Sequence, residues 1–185
     1  GKLTYSGISV EDIVEGCARE DRFGFEEVAW LILFGQLPTP HQLNIFSRTI
    51  AQQRELPDGF VDDIIIKVPS HNIMNALGRS VLALYSYDEN PDDFSLENCM
   101  RQSISLIAKM PTMMVAAYQV KRRLYDHKSM YFHNTKREPS VAGHILRTMR
   151  SDKQFTDAEA QRLALLLILH VDPDGGNNHP SRTRF

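Results

Sequence analysis

The chain has 185 residues, 42% hydrophobic and 24% charged, with a formal net charge of -2. Such a composition excludes a disordered chain and leaves room for one sizeable core, a domain or a domain and a half. No basic excess is available to neutralise phosphates, so no nucleic-acid partner is expected. Lys121-Arg122-Arg123 is short and reads as a solvated helix face. Cys17 and Cys99 sit in no paired metal or redox spacing, so no disulfide framework is expected and both read as small buried or half-buried groups. The first residues carry no signal-peptide pattern. The apolar run Leu163–Leu169 is far shorter than the roughly 20 residues of a membrane span. The expectation is a soluble, cytoplasmic protein with no membrane partner.

Nearly every segment reads as helix. Lys2 to Tyr5 is a short strand or extended arm. Ser9, with Asp12 three residues on, marks a helix start, and Gly16 a stop near Cys17. Phe25 to Phe34 carries Glu26 and Glu27 in its first turn and meets Gly35 at its end. Thr39-Pro40 opens the next helix, with proline at the first helical position and Leu43, Phe46 and Ile50 on one stripe, ending near Arg54.

Asp58 is predicted to cap a short helix running to about Lys67, with Pro69 breaking the chain. Met74, Leu77, Val81 and Leu84 recur at helical spacing. The acidic stretch 88–93 is a loop. A long helical region then runs from about Leu96 to His127, and Pro111 within it predicts a kink or a split into two helices. Lys128 to Pro139 reads as an exposed loop whose Tyr131 and Phe132 either pack on the domain or form a mobile cover. Ser140 to Met149 is a further helix. Thr156 and Glu159 form a capping box for the last one, ending near His170.

Residues 104–118 and 160–170 are apolar on almost every face. A small bundle cannot bury such helices. They require a subunit interface or further chain over them.

The last apolar run opens into His170-Val171-Asp172-Pro173-Asp174-Gly175-Gly176-Asn177-Asn178-His179. A rigid element that delivers polar groups to a turn suits a binding site. A histidine at a helix C-terminus is favoured when charged and can donate to an anion. Asp172 can orient an imidazole, and Asn177 and Asn178 offer donors and acceptors. A plain helix cap before a glycine-rich turn fits the same residues, and both readings stand. His170, Asp172 and His179 form no recognised metal spacing, so no metal is expected. Cys17 and Cys99 suit core or surface roles better than nucleophilic ones. His71 reads as local polar packing, Trp30 as core, and Met110, Met113 and Met114 as adaptable filling.

Several stretches together resemble the citrate synthase family. They are Gly1 to Ile8, Phe25 to Thr39, Ile107 to Thr112 and Glu138 to Leu146, in the family's order. Ser6 stands where the family usually has arginine. The family's substrate motif reads His-Ala-Glu/Asp-His-Gly-Gly-Gly-Asn-Asn-Ser-Thr-Phe, and His170, Asp172, Gly175, Gly176, Asn177 and Asn178 match it. Pro173 replaces the second histidine, Asp174 a glycine and His179 the serine.

The resemblance implies an all-α fold, an incomplete multi-helical large domain over residues 1–185, with the small CoA-binding domain absent. It implies a homodimer packed through long helices. It implies condensation of acetyl-CoA with oxaloacetate, or of propionyl-CoA in a 2-methylcitrate synthase, with no permanently bound cofactor. The substrate-binding residues it implies are His170, Asp172, Asn177, Asn178 and His179. No catalytic residue is assigned, because the family's acid–base pair lies in its second half. The segment alone is expected to be inactive, and a non-catalytic dimerisation paralogue is the rival reading that Pro173 favours.

Overall fold

The computed structural model describes residues 3–134 and 138–171. The chain divides into two compact units, Gly1–Ser47 with Phe155–Phe185, and Arg48–Gln154. Their described residues form seven α-helices, a π-helical turn, a 3-10 turn and one small hairpin, so the expected all-α class holds.

In the first unit, β1 (Thr4–Tyr5) pairs antiparallel with β2 (Ile8–Ser9), Tyr5 facing Ile8 in register. The turn residues Ser6 and Gly7 have φ of 48° and 83°. Two positive φ values give the I′-type turn whose twist suits a tight hairpin. Helix α1 spans Val10–Arg19. Ser9 occupies its N-cap, but the hydroxyl makes no capping bond, and the helix runs through Gly16 rather than stopping there. One glycine costs only about 1 kcal/mol, and burial of Val10, Ile13 and Cys17 on one face outweighs it.

Helix α2 (Phe25–Phe34) lies between Gly24 and Gly35, both left-handed, with the Gly35 N–H donating to Leu31 O at 2.8 Å. Helix α7 (Asp157–Leu169) starts at the reciprocal Thr156–Glu159 capping box. Its Ala160, Ala164 and Ile168 are buried at four-residue spacing, and α7 packs on α2. The core of this unit joins Tyr5, Val10, Ile13, Cys17, Val28, Leu31 and Ile168. Gly24 closes against it, since a Cβ there would strike Cys17 Sγ and lie 3.2 Å from Ile168 Cδ1. Trp30 is half-buried rather than core, with its ring 4.0 Å from Phe34 and 5.4 Å from Phe46.

The division between units falls within α3 (Pro40–Gln52), which buries Phe46 and Ile50. Thr39 and Gln42 make reciprocal side-chain bonds at its start.

In the second unit the chain turns at Gly59 (φ 75°) and forms the π-helical turn Val61–Ile66. Asp58 is therefore not a cap: Phe60 holds the N-cap position and the element starts three residues past Asp58. Helix α4 (Ile73–Leu84) is capped by Asn72, whose side chain accepts from Asn75 N–H. A 3-10 turn, Tyr85–Tyr87, leads into the acidic loop. Helix α5 (Leu96–Leu124) is a single helix of 29 residues, so Pro111 does not split it. Pro111 is buried, and α4, α6 and the π-helical turn all pack on α5. That lateral support offsets the missing N–H. Helix α6 (Val141–Met149) starts at Ser140, whose Oγ accepts from Gly143 N–H at 3.0 Å.

The core here joins Phe60, Ile65, Ala76, Leu77, Met113, Ala116, Ala117 and Val120, with Met114 at its edge. Met110 is exposed, which corrects its reading as filling. His71 stacks on Tyr125 with centroids 3.4 Å apart. Three buried polar side chains tie distant segments together. Gln119 donates to Met149 O at 2.8 Å, and Arg54 donates to Glu138 O and to Pro139 O. His144 Nε2 bonds Thr112 Oγ1 at 3.0 Å.

Burial, aided by the Arg54 charge, lowers the His144 pKa to about 4 from its ordinary 6.5. The folded state therefore holds this imidazole neutral where the unfolded chain protonates it. Its contribution is intact above pH 6.5 and is lost as pH falls from 6.5 to about 4. The loss should total about 3 kcal/mol across that window, and His144→Leu should flatten it. Urea melts of both proteins at stepped pH check this. A second test concerns packing. Gly24→Ala combines a positive φ with a clash on Cys17 and should cost roughly 3 kcal/mol in thermal unfolding.

Candidate functional site

The candidate site lies at the C-terminal end of α7. A helix leaves its last carbonyls without intrahelical donors, and here three of them are satisfied by identifiable groups. His170 N–H donates to Leu167 O at 3.0 Å, and Val171 N–H to Ile168 O at 3.3 Å. The Tyr5 hydroxyl, fully buried, donates to Ile168 O at 2.6 Å. The His170 ring lies on Leu166 O, with Nδ1 2.7 Å away. A carbonyl only accepts, so Nδ1 carries the proton, and Nε2 is the ring atom left for a ligand. The His170 side chain is exposed, and the helix ends as it turns outward.

His170 is thus both a helix cap and a presented imidazole, and the two readings of it are compatible. Asp172, Asn177, Asn178 and His179 lie outside the described residues, as do Pro173 and Asp174. Of the five expected site residues, only His170 has a described position. Tyr5 escaped the sequence reading as a contributor, because it meets α7 from 163 positions away and no local pattern marks such a contact.

The second unit carries its own cavities. One, about 540 Å³, is lined by Tyr85, Asp88, Arg101, Gln102 and Lys109 among others. Arg101 pairs with Asp88 at 2.5 Å, and Lys109 donates to Ser105 Oγ at 2.6 Å. Burial pulls the Lys109 pKa down, Arg101 adds to this and Asp88 opposes it. A bond from the Asn90 backbone, then Arg101, holds the Asp88 carboxyl below its usual range. Two smaller cavities, about 330 and 280 Å³, share Val61, Asp62, Thr112 and His133. Among the described residues no group of three His, Cys, Asp or Glu is placed to hold a metal. None of their helices is long and apolar enough to cross a membrane.

Comparison with known proteins agrees with the motif order. The family model described as citrate synthase, C-terminal domain, matches residues 1–184. The chain is 34% identical over 121 residues to 2-methylcitrate synthase 1 of Corynebacterium glutamicum, covering 65% of this chain and 30% of that protein. It is 29% identical over 180 residues to the citrate synthase of Haloferax volcanii, covering 93% of this chain and 43% of that one. The crystal structure of citrate synthase from Pyrobaculum aerophilum superposes with a TM-score of 0.75 at 26% identity, over 93% of this chain and 42% of that one. The chain therefore spans less than half the length of the relatives it matches. With its helices in the family's order and its full length matched by the family model, this chain belongs to the citrate synthase family.

Proposed function

We propose that this chain provides the helical large-domain segment of an enzyme that condenses acetyl-CoA with oxaloacetate and water to give citrate and CoA. The observation that carries this reading is the presentation of His170 Nε2 at the end of α7, at the first position of the family's substrate motif. In this reading the His170 ring, in its doubly protonated form, keeps Nδ1–H on Leu166 O and donates Nε2–H to an oxaloacetate oxygen, and Asp172, Asn177, Asn178 and His179 complete the binding turn. The chain alone does not turn over, because no acid–base pair is assigned to it. A 2-methylcitrate synthase acting on propionyl-CoA is the second reading. The 34% identity to such an enzyme supports it.

The functional unit is a homodimer. Helix α4 leaves Met74 and Leu82 exposed, the 3-10 turn after it leaves Tyr85 exposed, and Phe94 and Leu96 at the start of α5 are exposed by 84% and 81%. Leu166 and Leu169 on α7 are half exposed as well. Apolar surface of this extent fits a subunit interface.

Two outcomes are expected. In the intact enzyme carrying this segment, His170→Ala should raise the KM for oxaloacetate about tenfold, the worth of one charge-assisted hydrogen bond. Steady-state assays with acetyl-CoA and propionyl-CoA in turn check this and choose the acyl donor. An unchanged KM removes His170 from the site. Sedimentation should show a dimer that Leu82→Glu shifts towards monomer, with helicity retained.

A further inference from the structure

We propose that Tyr5 is a positioning residue for His170. Its buried hydroxyl holds the last turn of α7, so that the imidazole stays on Leu166 O and presents Nε2. The inference rests on the reading of His170 as a substrate-binding residue and adds what sets that residue's orientation.

Three adjacent carbonyls carry the argument. Leu166 O receives the His170 ring, Leu167 O receives the His170 N–H, and Ile168 O receives Val171 N–H and Tyr5. The backbone bond to Ile168 O is long at 3.3 Å, whereas the Tyr5 bond is short at 2.6 Å. Tyr5 and Ile168 are both fully buried, so water cannot replace the hydroxyl. Losing it leaves Ile168 O with backbone donors alone, the long Val171 bond and a share of the His170 N–H. The turn that bears both His170 bonds then loosens.

Tyr5 can act as a fixed anchor because the hairpin is itself pinned. Tyr5 pairs with Ile8, and Val10 N–H donates to Leu3 O at 3.0 Å. The next residue, Ser6, donates its hydroxyl to Leu31 O at 3.3 Å, in the last turn of α2. Adjacent hairpin residues thus hold the ends of two helices, and the α7 carbonyl that Tyr5 holds, on Ile168, stands two residues before the candidate ligand.

Nitrogen-15 NMR of the His170 ring at pH about 9, where an imidazole is neutral, tests the proposal without substrate. The wild type should show the Nδ1–H tautomer. Tyr5→Phe, which removes one oxygen and keeps the ring, should move the signal towards the Nε2–H form preferred by an unconstrained histidine side chain. Val28→Ala lightens the same core without touching a helix-end carbonyl and should keep the Nδ1–H signature. The proposal is overturned if Tyr5→Phe keeps the wild-type tautomer, or if Val28→Ala loses it to the same degree at matched loss of melting temperature. Calorimetric titration of oxaloacetate into the intact enzyme separates the two claims. Failure of the wild type to bind refutes the proposed function, while the tautomer result still decides the role of Tyr5.

Discussion

Helix ends are the constraint on which this chain is organised. A helix closes every internal hydrogen bond except those at its termini, and a buried terminus must find partners elsewhere. Here the partners come from far along the sequence. The Tyr5 hydroxyl meets Ile168 O at the end of α7, and Gln119 meets Met149 O at the end of α6. Arg54 meets Glu138 O and Pro139 O ahead of α6. All three side chains are buried. Apolar packing gives each unit its core, and these polar contacts tie down the ends of α7 and α6 and the approach to α6.

The same logic governs the surfaces. Helix α7 hides Ala160, Ala164 and Ile168 and leaves Leu166 and Leu169 outside. Helix α4 hides Ala76, Leu77 and Ser80 and leaves Met74 and Leu82 outside. Each of these helices thus has one packed face and apolar side chains left exposed on another.

Local chemistry was legible wherever neighbours in sequence decide the outcome. The Thr156–Glu159 box, Pro40 at a helix start and Gly35 at a helix end are all where their patterns place them. The misreadings share a cause, which is tertiary support overriding a local signal. Gly16 does not end α1, and Pro111 does not split α5 into two helices, because each helix has a buried face that outweighs one poor residue. The π-helical turn at Val61–Ile66 has no period that a sequence pattern shows. His170 was legible as the end of an apolar run. The tautomer of its ring was not, because that depends on a carbonyl four residues back and a tyrosine from the opposite end of the chain.

The seat of Cys17 against Gly24 has a use of its own. The thiol is 2% exposed, and burial raises its pKa despite the nearby Arg22 cation. Cys99, in the other unit, is only partly covered. A thiol reagent therefore reaches Cys99 in the native protein but meets Cys17 only when α1 and α2 part. The chain carries an internal clock for the opening of the unit that presents His170, readable as the mass the reagent adds at Cys17, with no residue engineered in.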